Sequence, residues 1–208
     1  MEKNSSPLPR RSGRPLSFDR DMALEQAMLT FWRYGYETTS ISELTAAMGV
    51  TAPSIYTAFG DKRQLFLEAM RLYAGSTEDL KLSLSAADTA RDAVEWMLDS
   101  AVKRFTGKNT PHGCLLASAT ASGSKDSIDV QAAVTSIRSE IMKLICMRIK
   151  QDVKKGVLPP NTDAAALATF VIALVQGMSV LARDGIKRRP LQAMINTAMI
   201  AWPTENYR

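Results

Sequence analysis

The chain has 208 residues, of which 46% are hydrophobic and 23% charged. That composition is ordinary for a globular protein of one domain or two small ones, and it excludes wholesale disorder, a collagen-like chain and a multi-span membrane protein. The net charge is a mild +5, while two cysteines and one histidine exclude a disulfide framework and a multi-histidine metal site within one chain.

Residues 1–17 read as a flexible basic arm. Pro7, Pro9 and Pro15 break helices there. As far as Arg20, five cations (Lys3, Arg10, Arg11, Arg14, Arg20) oppose Glu2 and Asp19, a local excess of +3. No apolar segment makes this stretch a secretory signal, so reduced thiols and a cytoplasmic location are the expectation.

Beyond the arm the chain reads as all-α. Apolar residues recur at helical spacing, and Pro and Gly fall between the periodic segments. The first helix is expected from Asp19, a good N-cap, to Tyr34, with Leu24, Ala27, Met28 and Phe31 inward and Gly35 ending it. Ser40-Ile41-Ser42-Glu43 is a capping box that opens a short helix, stopped by Gly49. Thr51 caps a second short helix to Ala58, in which Pro53 is tolerated because the first turn has no partner for its missing N–H. Asp61 opens a helix that carries Leu65, Phe66, Ala69, Met70 and Tyr73 inward.

Further helices are expected over about 87–106, near Cys114, over about 127–155, over 163–184 and over 190–202. Residues 164–182 form a run of 19 without a charge. Its length fits a membrane span, but Thr169, Gln176, Gly177 and Ser179 favour a helix buried in the fold or at a dimer seam. In the seam reading, Gly177 and Ser179 would let helices approach closely across it.

The two short helices form the informative constellation. Leu44, Val50 and Ile55 are apolar where two crossed helices must meet, and Gly49 permits the left-handed backbone of a tight turn. The second helix then exposes Thr51, Ala52, Ser54, Tyr56 and Thr57, a short, uncharged, hydrogen-bonding surface that suits a major groove. Lys62, at the next helix start, is placed to hold a phosphate. The same spacing also fits an ordinary helical corner.

Residues 18–74 resemble the DNA-binding domain of the TetR/AcrR family of bacterial transcriptional regulators. The likeness is carried by Phe31…Gly35-Tyr36-Glu37-Thr38-Thr39, the turn Met48-Gly49-Val50-Thr51, Ser54-Ile55-Tyr56, and Phe59-Gly60-Asp61-Lys62. One position departs: the residue a turn before the glycine is usually Ala in the family and is Thr45 here.

The resemblance implies an N-terminal three-helix helix-turn-helix DNA-binding domain over 18–75. A helical-bundle effector-binding and dimerisation domain would follow over 76–208. It implies a homodimer, held by the helices near 163–184 and 190–202, that binds a palindromic double-stranded DNA operator and is released by a small-molecule effector. Carried over by position, Ser40 and the Thr39 backbone would grip phosphate, Thr51, Ala52, Pro53 and Ser54 would lie nearest the bases, and Tyr56, Thr57 and Lys62 would contact phosphates and sugars. Arg14, in Gly13-Arg14-Pro15, would reach into the minor groove as basic arms do, unless the arm is only a solvated tail.

Candidate pocket-lining residues are Trp96, Met97, Phe105, His112, Cys114, Met142, Cys146 and Phe170, because their helices should surround one cavity; core filling is the alternative for each. Cys114 follows Gly113 at a helix start, where N–H dipoles favour thiolate, so a redox- or electrophile-sensing regulator is a second reading. Its apolar neighbours Leu115, Leu116 and Ala117 favour an inert core thiol instead. Cys146 beside Met142 and Met147 brings Cu(I) to mind, but Met more often fills adaptable cores, and no metal or cofactor is expected. No Walker loop, dinucleotide fingerprint, Gly-x-Ser-x-Gly elbow or His-Glu-x-x-His occurs, so an enzyme is not expected. Two alternatives remain: a helical enzyme or ligand carrier that does not bind DNA, and a DNA-binding organiser that takes no ligand.

Overall fold

The computed structural model describes residues 18–119 and 127–204; Arg14 and the rest of the arm lie outside the described residues. Among the described residues there are ten α-helices and no strand: α1 Arg20–Tyr34, α2 Ile41–Met48, α3 Ala52–Phe59, α4 Lys62–Ala74, α5 Thr77–Ala86, α6 Ala90–Phe105, α7 Leu115–Ser118, α8 Ile128–Lys154, α9 Ala164–Arg183 and α10 Arg188–Ile200.

The starts of the head helices follow local chemistry. Asp19 accepts from the backbone N–H of Asp21 and Met22, Thr51 from Ser54 and Asp61 from Gln64. The Ser40/Glu43 capping box forms in full. Each such cap is worth about 1 kcal/mol. Gly49 has φ 67° and ψ 30°, the left-handed conformation that the turn between α2 and α3 requires.

Helices α1, α2, α3 and α4 close around Ala27, Phe31, Leu44, Ile55, Leu65 and Phe66, none of which reaches solvent. The Phe31 and Phe66 rings meet edge to face at 5.0 Å. Thr45 fits the α2–α3 crossing by donating its hydroxyl to the Ser42 carbonyl at 2.8 Å, which satisfies the group that departs from the family pattern.

The second layer packs α6 against α9, α10 and α8, with Leu98, Val102, Ile145, Ile149, Ala168 and Met178 at its centre. A buried ion pair, Arg148–Asp152, organises its lower end. Arg148 also donates to the carbonyls of Leu84, Ala87 and Asp88, and the Asp152 carboxylate accepts from the Ala90 N–H at 2.6 Å. One turn of α8 thus holds the end of α5 and the start of α6.

Helix α5 was not among the expected elements. The 87–106 helix starts later than expected, at Ala90, behind a Thr89/Asp92 capping box. Helix α9 is long and apolar enough to cross a membrane, but less than a third of it is buried within the chain. Its uncharged outer stripe, including Thr169, Phe170, Ala173 and Val180, lies open alongside the exposed Ala193, Thr197 and Ile200 of α10.

Candidate nucleic-acid interface and effector cavity

Helix α3 buries Ile55 and Phe59 and turns Thr51, Pro53, Tyr56 and Thr57 outward, with Ala52 and Ser54 half-buried at its first turn. The Thr51 and Ser54 hydroxyls lie 2.9 Å apart, and Thr57 donates to the Pro53 carbonyl at 2.8 Å. The face is therefore uncharged and internally ordered, with hydroxyls that can exchange partners at a groove edge.

Arg20 fixes where α3 ends. Its guanidinium lies 4.3 Å from the Phe59 ring centroid, donates to the Ala58 carbonyl and pairs with Glu68 at 2.7 Å. One side chain of α1 thereby ties α3 to α4.

Lys62 stands over the Tyr36 ring, with Nζ 4.6 Å from the centroid, and donates to the Glu37 carbonyl at 3.4 Å. Partial burial lowers its pKa, opposed by the nearby Glu37 and Glu43 carboxylates. Burial raises the Tyr36 pKa, as do Glu37 and Asp61. The ammonium is thus pre-oriented at the head surface by an aromatic platform.

The two expected phosphate grips are the Thr39 backbone and Ser40. The Thr39 side chain is fully buried and donates to the Gly35 carbonyl at 2.6 Å, so only its backbone remains to serve. Ser40 donates both its N–H and its hydroxyl to the Glu43 carboxylate, at 2.7 and 2.8 Å. Those two bonds hold the Glu43 carboxyl below its ordinary pKa. The capping box visible in the sequence engages both Ser40 donors, so a phosphate would have to displace them from Glu43.

Head and body meet at Gly113-Cys114. Trp32 of α1 donates its indole N–H to the Gly113 carbonyl at 3.0 Å, and Arg183 of α9 donates to the Trp32 carbonyl at 3.0 Å. The Cys114 N–H donates to Ser179 Oγ at 2.8 Å. A Cβ on Gly113 would meet Arg183 Cγ at 2.7 Å and the Ser179 carbonyl oxygen at 2.8 Å, so only glycine fits this joint, where φ is also 79°.

Beside the joint, a cavity of about 180 Å³ opens between α4, α6, α8 and α9. Four of the eight expected pocket residues line it: Trp96, Met97, Phe105 and Cys114. His112, Met142, Cys146 and Phe170 do not. His112 is exposed in the turn before α7, and Phe170 is exposed on the outer stripe of α9. On α8 the wall is made instead by Arg138 and Ile141, and on α9 by Ile172, Val175 and Gln176.

Tyr73 and Arg104 line the cavity although neither was expected there. The Arg104 guanidinium lies 5.2 Å from the Tyr73 ring centroid and donates to the Tyr73 carbonyl at 3.2 Å. The periodicity of the fourth helix had marked Tyr73 as an inward residue, but nothing in a single sequence says what an inward residue meets.

Comparison with known proteins agrees with this geometry. Residues 23–69 match the family model for bacterial regulatory proteins of the tetR family, and residues 90–198 match the tetracyclin repressor-like C-terminal domain. The chain is 32% identical over 194 residues to the HTH-type transcriptional repressor ComR of Escherichia coli K12, covering 92% of each protein. It is 27% identical over 196 residues to the repressor BdcR of the same organism, covering 89% of this chain and 88% of BdcR. Among solved structures, a cysteine-substituted form of the TetR family transcriptional regulator CifR, complexed with 26-bp double-strand operator DNA, superposes with a TM-score of 0.87 at 40% identity, covering 92% of this chain and all of that one. Two family models in the expected order, and relatives alike over nearly their whole length, lead to one conclusion: the chain belongs to the TetR family of bacterial transcriptional regulators.

Proposed function

We propose that this protein is a repressor that binds a palindromic operator as a homodimer and leaves it when a small molecule occupies the cavity between α4, α6, α8 and α9. The observation that carries the reading is the α2–Gly49–α3 turn, which buries Ile55 and presents Thr51, Pro53, Tyr56 and Thr57 on one outward face. A helix of that length and polarity enters a major groove without charge repulsion from phosphate. Repression rather than activation follows ComR and BdcR, both named as repressors. The protein would act in the cytoplasm, and nothing in this reading calls for catalysis.

In the complex, Thr51, Ala52, Pro53 and Ser54 would lie nearest the bases. Tyr56, Thr57 and Lys62 would hold phosphates and sugars on either side. Because Ser40 is engaged with Glu43, Lys62 on its Tyr36 platform carries more of the backbone contact than the family pattern alone would assign. The outer stripes of α9 and α10 would form the dimer seam, since their uncharged, largely apolar surface is left exposed among the described residues. A ligand acts by favouring a subunit arrangement whose two α3 helices no longer match grooves about 34 Å apart.

The test is selection of genomic fragments by the purified protein, followed by footprinting. Two protected half-sites related by a two-fold axis, with centres about one helical turn or a multiple apart, are the expected result. Protection without two-fold symmetry, or no retained fragment, would refute the reading.

A further inference from the structure

A groove of about 580 Å³ runs between α1, α4 and the end of α6, on a side of the head that does not include the α3 face. Its floor is apolar and open. Met22 is 63% exposed and Leu72 48%, and Met28 lies half-buried between them and the core. Large apolar side chains left singly on a surface are normal, but here they face one groove. Its edge on α1 is acidic, made by Asp19, Asp21 and Glu25. The Asp19 carboxylate is occupied by the N–H groups of Asp21 and Met22. The Asp21 and Glu25 side chains have no hydrogen bond or ion pair among the described residues. Among the described residues, the groove has one cation on its wall, Arg104, which is already engaged with the Tyr73 carbonyl and ring.

Two exposed carboxylates beside an open apolar floor suit a narrow, cationic, partly apolar occupant. One is tethered at the mouth of the groove. The described chain starts at Phe18, which packs against the core immediately before Asp19. The 17 residues ahead of it carry Lys3, Arg10, Arg11 and Arg14 against Glu2 alone, with Leu8, Pro9, Pro15 and Leu16 among them. An extended chain covers about 3.3 Å per residue, so Arg14 reaches about 13 Å from Phe18 and Arg10 about 26 Å. The stretch of α1 from Asp19 to Trp32 is about 20 Å long. The arm can therefore follow the whole groove. Its tether also supplies an effective concentration on the order of millimolar, so weak contacts suffice.

We propose that this groove docks the chain's own N-terminal arm, with arginines of the arm paired to Asp21 and Glu25 and its leucine and proline side chains on the Met22–Leu72 floor. An arm held there cannot lie in a DNA minor groove at the same time. On the repressor reading, which the docking itself does not need, an operator must displace the arm from α1 before using it. A duplex that offers the arm no good minor-groove site then gains little from it.

The test uses the full-length protein without DNA. Trypsin cuts after Arg10 and Arg11, and mass spectrometry follows the release of those arm fragments. A docked arm is shielded from the protease for as long as it is docked. Asp21→Asn combined with Glu25→Gln alters neither cut site and should speed both cuts about fivefold, the effect of two exposed ion pairs within one tethered chain. Leu72→Ser, at an exposed position, should speed them about twofold without lowering the melting temperature. Unchanged cutting in either variant would overturn the proposal, whether the groove then takes a foreign basic partner or nothing. Protection that falls on dilution would also overturn it, because the occupant would be the arm of a second copy. The selection of genomic fragments keeps the two ideas apart. A protein that retains fragments but leaves its arm unprotected keeps the repressor reading and loses this one. A protein with a protected arm and no retained fragment does the reverse.

Discussion

At the scale of single residues, the proposed DNA face would separate groups that position from groups that read. Lys62 is a cation braced by Tyr36 and the Glu37 carbonyl, beyond the end of α3. Its replacement by alanine should weaken binding to all duplexes by a similar factor and lower the slope of affinity against salt by about one counterion. Ser54, paired with Thr51 at the first turn of α3, should behave differently: Ser54→Ala is expected to change the ranking of operator variants at an unaltered salt slope. Fluorescence anisotropy over a salt series, with a small set of operator variants, separates the two, and identical behaviour of both mutants would exclude this docking. Cys114 is 5% exposed, at a helix start where its N–H is already bonded to Ser179. Cys114→Ser should leave operator binding intact. Release by mild peroxide that occurs in wild type and vanishes in the mutant would instead favour the thiol-switch reading. The outward face of α3 was legible because capping and turn chemistry are local. Cavity residues were legible only in part, because lining depends on the rotation of a helix about its axis. Arg138 and Ile141 line the wall where Met142 and Cys146 were expected, a rotation of about 100° per residue on the same helix.

At the scale of elements, α5 shows what periodicity hides. Its leucines, Leu80, Leu82 and Leu84, fall at every second position, a strand-like spacing, and only Leu84 is buried while Leu82 is exposed. The element is placed instead by tertiary bonds, above all from Arg148 to the Leu84, Ala87 and Asp88 carbonyls. Removing one partner of a buried pair leaves the other charge uncompensated. Arg148→Met, which strands the Asp152 carboxylate, should therefore cost about 3–5 kcal/mol in denaturant unfolding. A change of under about 1 kcal/mol would mean that the ion pair does not organise the α5–α6 corner. For the dimer seam, the structure redirects the expectation placed on Gly177 and Ser179. Ser179 is buried against Cys114, and a Cβ on Gly177 would face Met194 of the same chain at 3.8 Å. The seam is better tested on the outer stripe. Ala173→Arg should shift sedimentation at micromolar concentration from dimer to monomer without lowering secondary structure, whereas an unchanged dimer would place the interface elsewhere.

At the scale of the whole molecule, the head and the body must move as coupled parts if a cavity in one is to govern the other. The two meet through Trp32, Gly113 and Arg183, through the Arg104 hydrogen bond to the Tyr73 carbonyl, and through the Arg63–Asp129 pair at 3.1 Å between α4 and α8, which is too exposed to contribute much. The buried contact is the stiffer one. The Gly113 carbonyl receives the Trp32 indole N–H, and the space over its Cα is filled by Arg183 and the Ser179 carbonyl. A methyl group at Gly113 must push α9 away from the joint, or tilt α1, and it also strains a backbone with φ 79°. The atoms that the methyl group meets belong neither to α3 nor to the exposed side chains of the outer stripe. Gly113→Ala should therefore keep the dimer and the α3 surface but alter the spacing of the two heads, lowering operator affinity by about tenfold or more, since 1.4 kcal/mol of misalignment suffices for that factor. The loss should be smaller on half-site duplexes, which need no second head in register. Anisotropy on full and half sites, with sedimentation and melting on the same samples, makes the comparison. An equal loss on both duplexes would mean that the mutation damaged the head itself, and no loss on either would mean that the joint does not set the spacing.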